Sequence, residues 1–216
     1  MAVRLPFRDR AEAGRVLAAD LAHWRGAPGL LVLGLPRGGV PVAAEVARAL
    51  GAPLDVFIVR KLGFPGQPEL AMGAIASGGV QVLTPLPGLS ASPDEVESAV
   101  AAEQAELARR EALYRGGRPP LELRDRSVIV VDDGLATGAS MQAAVRAIRS
   151  ASPLRLCAAV PVGSSEGCDQ LRELVDELVC PAVPIPFRAV SLWYRDFPQT
   201  SDREVRELLA RGSSPA

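Results

Sequence analysis

The chain has 216 residues, 48% of them hydrophobic and 23% charged, which suits one globular domain with a real core. A net charge of −1 lacks the basic excess of a nucleic-acid binder, so no nucleic-acid partner is expected. No apolar signal core opens the chain, and the apolar runs at 30–36 and 128–131 are too short to cross a bilayer; no membrane is expected and the setting is read as cytoplasmic.

Cys157, Cys168 and Cys180 are widely spaced and odd in number, which fits reduced thiols better than a disulfide framework. With no C-x-x-C pair and one histidine, His23, a zinc site is not expected. Lys61 is the sole lysine among 24 basic residues, which singles it out, because a compact ammonium is not everywhere replaceable by a guanidinium.

In chain order, Asp9 and Glu12 form a capping pattern ahead of Val16, Leu17, Leu21 and Trp24, and Gly26 closes that helix. Residues 29–36 read as a buried strand, Arg37-Gly38-Gly39 as a turn, 41–50 as a helix stopped by Gly51, and 54–59 as a second buried strand. Residues 60–69 read as a loop, with Gly63, Pro65, Gly66 and Pro68. Residues 70–76 and 80–84 predict a hairpin across Gly78-Gly79. A long polar helix, 93–115, follows Ser92 and ends at Gly116-Gly117; its thin apolar face (Val96, Val100, Leu107, Tyr114) suits a surface or a partner. A strand at 127–131, a helix at 138–150, a strand at 154–162 and a helix at 169–177 follow. Residues 181–200 are rich in proline and aromatic side chains, and Ser201 with Glu204 caps a last helix. The alternation predicts an α/β fold, a mainly parallel central sheet with helices on both faces. Ligands in such folds sit at the carboxyl ends of strands, which points to the residues after Pro36, Val59 and Val131.

After Val131 comes Asp132-Asp133-Gly134-Leu135-Ala136-Thr137-Gly138-Ala139-Ser140. Two adjacent carboxylates at a buried strand's end are costly unless paired, and sugar hydroxyls or a hydrated Mg²⁺ would pair with them. The Thr-Gly-Ala-Ser run enters a helix, whose free N–H groups, with the Thr137 and Ser140 hydroxyls, suit a phosphate. Gly138 allows close backbone approach.

This segment resembles the phosphoribosyl-pyrophosphate (PRPP) motif of type I phosphoribosyltransferases, an apolar strand, two acidic residues and a Thr-Gly-small-Thr loop; Ser140 stands where Thr is usual and keeps the hydroxyl. The resemblance extends over about residues 29–162. It implies that Asp132 and Asp133 contact the ribose hydroxyls and that Ala136, Thr137, Gly138, Ala139 and Ser140 hold the 5′-phosphate. Pro36, Arg37, Gly38 and Gly39 fall where the family places its pyrophosphate loop. Arg60 and Lys61 open the stretch that resembles the mobile catalytic loop, whose basic residues close over the leaving pyrophosphate. Catalytic roles thus fall to Arg60, Lys61, Asp132 and Asp133.

Mg²⁺ is the implied cofactor, with no direct protein ligand expected and Asp132 and Asp133 reaching it through water. The partners implied are PRPP and a small-molecule acceptor, and the assembly a homodimer. One domain, 1–216, would hold the core and a hood over the acceptor, built from about 181–200 with the N-terminal segment. Glu69, Trp193 and Tyr194 are the acceptor-side candidates, with Arg188 and Arg195 facing the same pocket. Ala136 stands where members using 6-oxopurines often carry Asp, and the Asp-Asp-x-Leu-Ala-Thr-Gly run looks more like adenine-type members. The rival reading is a non-catalytic PRPP-sensing module of the same fold. Gly163-Ser164-Ser165-Glu166-Gly167 matches a nucleophile elbow, but no histidine follows Ser165 to complete a triad.

Overall fold

Every residue of β6, Ser127–Val131, is buried, because four β-branched apolar side chains alternate between two covered faces. A computed structural model describes residues 3–83 and 91–212, except for the side chains of Pro68, Glu69 and Ala71; Thr84, the expected end of a hairpin strand, lies outside the described residues. In chain order the elements before β6 are α1 (Arg10–Asp20), β1 (Leu31–Gly34), α2 (Gly39–Leu50), β2 (Leu54–Val56), β3 (Val59–Phe64), β4 (Gln67–Ala76), β5 (Val80–Leu83) and α3 (Pro93–Arg115). After it come α4 (Ala139–Ser150), β7 (Arg155–Ala159), α5 (Ser165–Arg172), β8 (Glu177–Val179) and α6 (Asp202–Gly212).

Five strands form a parallel sheet in the order β2-β1-β6-β7-β8. Alternation within the strands makes two cores. Val32, Ile129, Val131 and Cys157 pack under α2, α6 and the end of α1, with Val40, Val46 and Val205. Leu31, Leu33, Val128, Val130 and Leu156 pack under α4 and α5, with Met141, Val145, Ile148 and Leu171. The expected parallel sheet with helices on both faces is the observed architecture. Among the described residues no helix is long and apolar enough to cross a membrane.

Residues 60–69 are not a loop: β3 and β4 pair antiparallel, and β5 adds a third strand across the expected Gly78-Gly79 turn. Of the glycines and prolines that read as a loop, Pro65 and Gly66 make the tight turn, Gly66 at φ +74°, Gly63 sits at the register shift and Pro68 lies within β4. Leu62 is buried beneath this sheet while Lys61 next to it is exposed, the alternation of a half-covered strand.

Helix α3 is less of a free surface helix than its thin stripe predicts. Leu107 and Tyr114 are buried in the first core, so the stripe is covered within the chain. Its start is closed by a reciprocal box: Glu95 N–H donates to Ser92 Oγ, and Ser92 N–H to Glu95 Oε2. Ser92→Ala is expected to lower the free energy of unfolding by about 1 kcal/mol, read from a urea titration; an unchanged midpoint would show that the box adds nothing.

Smaller departures have simple causes. The first helix stops at Asp20, and a short 3-10 turn at Ala22–Trp24 covers the rest of the way to Gly26. Exposed His23 there pairs with Glu177, which also accepts from Trp24 Nε1 at 3.1 Å. The helix expected over 169–177 lies at Ser165–Arg172, and Glu177 opens the edge strand β8. That strand is three residues long and only half-buried, so it has no apolar run to announce it.

Candidate functional site

Strands β1 and β6 are neighbours at the sheet's centre, and the chain leaves them toward opposite faces, into α2 and α4. This is the switch point at which parallel sheets open a crevice. Asp132 and Asp133 stand at its floor, directly after Val131. Asp133 N–H donates to Asp132 Oδ1 at 2.9 Å. Burial, and then the neighbouring Asp133 charge, push the Asp132 carboxyl well above the usual carboxylate range. Asp133 is also raised, by burial, against the pull of the Arg10 guanidinium, which donates to its Oδ2 through Nε at 2.8 Å. Two buried carboxyls in this state have their charged forms under-compensated, and donors brought by a ligand would favour the carboxylates.

The turn after β1 lies against this pair. The Pro36–Arg37 peptide is cis, and Leu35 N–H donates to Val131 O at 2.9 Å. A Cβ on Gly38 would stand 2.1 Å from Asp133 Oδ2, and one on Gly39 would stand 2.6 Å from Val131 O. The glycines therefore serve close approach between the two loops, and the Gly39 N–H is already used, donating to Leu35 O at 3.0 Å. Arg37 is drawn toward Asp202, the first residue of α6, at 3.8 Å, and Asp202 accepts from Tyr114 Oη at 2.6 Å. Burial, then that bond to Asp202, push the Tyr114 hydroxyl up to about 12.

The loop after β6 is braced from behind. Leu135 is buried, its N–H donates to Val162 O at 2.9 Å, and its carbonyl accepts from Ser164 N–H at 2.8 Å. Ser164 Oγ donates to Ala136 O at 2.6 Å and accepts from Gly167 N–H at 3.0 Å. The elbow-like Gly163–Gly167 run is thus a brace and a helix cap, not a nucleophile. Thr137 and Ser140 are left exposed, and their hydroxyls have no hydrogen-bond partner among the described residues. Gly138, at φ +74°, turns the chain into α4.

The helix starts separate into two kinds. Asp9, Ser92, Ser164 and Ser201 each accept an N–H of the helix they precede, at α1, α3, α5 and α6. No side chain caps α2 or α4, whose first positions are preceded by Gly38 and Gly138. At α4 the N–H groups of Ala139, Ser140 and Met141 have no partner among the described residues. At α2, by contrast, Gly39 N–H donates to Leu35 O at 3.0 Å, Val40 N–H donates to Arg37 O at 3.2 Å, and Pro41 has no N–H. Both starts turn the positive ends of their dipoles toward the crevice, but α4 alone adds free donors.

The remaining predicted residues are spread further. Arg60 donates to Glu103 of α3 at 2.6 Å, and Lys61 is exposed on β3 without an ion pair among the described residues. Neither touches the acidic pair. The Glu69 side chain lies outside the described residues. Tyr194 is buried, with its ring 4.8 Å from Phe197 and 5.6 Å from Phe7, and its hydroxyl donates to Asp133 O. It braces the floor of the site, and no free ring face is left for stacking. Trp193 is half-buried and stacks on Phe187, centroids 6.2 Å apart. Arg188 and Arg195 are exposed. The N-terminal segment pairs with this region: Phe7 N–H donates to Trp193 O and Arg195 N–H to Phe7 O, both at 2.8 Å.

Arg10 and Asp202 are the site residues that sequence reasoning did not find; each is one of many charges near a helix start, and nothing local marks it. A cleft of about 450 Å³ opens elsewhere, between the β3–β4 turn (Gly63, Pro65) and the first turns of α3 (Asp94, Glu95, Ser98, Ala99), and holds none of the predicted residues. Among the described residues no three His, Cys, Asp or Glu side chains converge on a metal position. Two carboxyls of which one already grips Arg10 fit a hydrated ion brought by a ligand better than a resident one.

The chain is similar to known proteins. The profile of the phosphoribosyl transferase domain family matches residues 17–191. Two proteins of Mycobacterium tuberculosis, Rv0571c and MT0597, both provisionally named phosphoribosyl transferases, are 46% identical over 207 residues. That alignment takes in 95% of this chain but 46% of theirs, so the chain spans about half the length of these relatives. The crystal structure of TT1426 from Thermus thermophilus superposes with a TM-score of 0.88 at 44% identity, over 97% of this chain and 100% of that one. The chain belongs to the phosphoribosyl transferase domain family.

Proposed function

We propose that the protein binds PRPP with Mg²⁺ and transfers its 5-phosphoribosyl group to a nitrogen base, releasing pyrophosphate. The observation that carries this reading is an acidic floor with the free N–H groups of the α4 start on one side and the Pro36–Gly39 turn, with Arg37 and the dipole end of α2, on the other. A ligand that uses all three parts has an anion at each end and hydroxyls between them, and PRPP has that layout. The 5′-phosphate falls to the α4 start, with Thr137, Gly138, Ala139 and the Ser140 hydroxyl; the pyrophosphate falls to Pro36–Gly39 at the α2 start; Asp132 and Asp133 take the ribose hydroxyls.

In the transfer the bond from ribose C1 to pyrophosphate oxygen breaks and a bond from C1 to the base nitrogen forms. The nitrogen's proton goes to solvent or to a nearby carboxylate. No enzyme nucleophile is needed, and the chain's part is to position the ends and neutralise the leaving group, with Arg37 and the β3–β4 hairpin carrying Arg60 and Lys61 as the cations. Mg²⁺ would add charge neutralisation at the pyrophosphate, with Asp132 and Asp133 meeting its water shell. On the family resemblance we assign Trp193, which stacks on Phe187, to the acceptor side. The family resemblance adds a cytoplasmic homodimer to this proposal.

Calorimetry of Mg²⁺·PRPP against the protein tests the site, followed by a panel of purine-like and other heterocyclic bases for turnover. Binding at a roughly micromolar Kd with pyrophosphate release on adding one base is expected. Absence of PRPP binding would sink the proposal, and tight binding without turnover across the panel would favour the sensing module.

A further inference from the structure

We propose that Arg10 is a positioning residue for the sugar, fixing the Asp133 carboxylate and coupling it to the Phe197–Pro198 segment. This rests on the PRPP reading above. Arg10 opens α1, 123 positions before Asp133. Its Nε and Nη2 both reach Asp133 Oδ2 at 2.8 Å. Its Nη1 donates to Pro198 O at 2.7 Å, and its guanidinium carbon lies 3.7 Å over the Phe197 ring centroid. The Arg10 side chain is 11% exposed and that of Asp133 is 16% exposed. A salt bridge this covered is unlike a surface pair, whose charges water screens.

The geometry divides the two oxygens of Asp133. Oδ2 takes both guanidinium contacts of Arg10 and lies so near Gly38 that a Cβ there would stand 2.1 Å from it. Oδ1 has no hydrogen-bond partner among the described residues, so the grip on its twin presents it to a hydroxyl. The fork uses three directions at once, toward the carboxylate, the Pro198 carbonyl and the aromatic face. A lysine at this place could keep one charge contact and lose the rest. The charged and titratable groups facing Asp133 are Arg10 from α1, Asp132 beside it, and Tyr194, whose hydroxyl holds the Asp133 carbonyl. Arg10 is the cation among them. Without it Asp133 takes up a proton at a higher pH than it does now, and a protonated carboxyl is a poorer acceptor for ribose.

The test is PRPP affinity by calorimetry for wild type, Arg10→Met and Arg10→Lys, each at about pH 6 and about pH 9. Arg10→Met is expected to bind about 30-fold more weakly than wild type near pH 6, with the ratio shrinking to a few-fold near pH 9 as Asp133 ionises. Arg10→Lys is expected to bind about 5- to 10-fold more weakly with the same ratio at both pH values, because it keeps the charge and loses the fork. A merely structural arginine would give a defect independent of pH in the Met variant, and that result would overturn the proposal. If Arg10→Met does not fold, wild-type affinity in Arg10→Lys overturns it equally. Failure of wild type to bind PRPP would overturn the reading of the whole site, whereas binding by wild type with undisturbed variants would overturn the role of Arg10 alone.

Discussion

Asp132→Asn is expected to stabilise the free protein by about 1 kcal/mol at neutral pH while weakening PRPP binding by about 100-fold or more. Both effects have one origin. Burial and the Asp133 charge raise the folded-state pKa of Asp132 above its unfolded value, so the folded chain binds more protons across that window. Its stability is therefore greatest below the ordinary carboxylate range and falls as pH rises through the raised value. Asn cannot ionise, and its Oδ1 still accepts the Asp133 N–H that Asp132 Oδ1 now accepts at 2.9 Å. The substitution thus removes the charge penalty and leaves the loop's internal bond in place. Urea midpoints at neutral and acid pH would show the gain at the first and its disappearance at the second. A variant less stable than wild type at neutral pH would mean that the fold tolerates the carboxylate without strain.

Gly39→Ala is expected to lower stability by about 2–3 kcal/mol and to remove PRPP binding. Alanine normally favours a helix over glycine by about 1 kcal/mol, so the expected sign runs against propensity. Space decides it. The new methyl would stand 2.6 Å from Val131 O, 2.9 Å from Asp132 Cα and 3.0 Å from Asp132 Oδ1. Two of these three atoms are backbone at the centre of a parallel sheet, with no rotamer to turn. Relief requires α2 to move off the end of β6, which parts the Pro36–Gly39 loop from the acidic pair. Denaturant unfolding and calorimetry on the same sample would check both halves, and a variant as stable as wild type would show that the loops can separate without loss.

The central sheet was legible because its strands are buried on both faces. Runs such as Val128–Val131 leave no room for a helical stripe or a polar alternation. The acidic pair and the Thr-Gly-Ala-Ser loop were legible because consecutive residues carry the whole pattern. The β3–β4 hairpin was not, since its turn and bulge use the same glycines and prolines that a loop would use. Arg10 was invisible for a different reason. Its partners, Asp133, Phe197 and Pro198, lie far along the chain, and only the docking of the N-terminal segment on residues 193–196 brings them to one place. Tyr194 was noticed for its aromatic ring, whereas its place is set by a hydroxyl that holds the Asp133 carbonyl.

Helices α2 and α4 lie on opposite faces of the sheet, and that division bears on how the proposed reaction would end. An intact PRPP would be a bivalent ligand there, with one anion anchored on each face and the second contact made at the high local concentration that the first enforces. Breaking the bond at ribose C1 cuts the tether between the anchors. The nucleotide would keep the α4 end and the acidic floor and the pyrophosphate only the α2 end, so neither product would hold both anchors. On the proposed reaction a tight grip on the substrate would therefore not become an equally tight grip on either product, and the affinity that assembles the reactants would not hold back turnover.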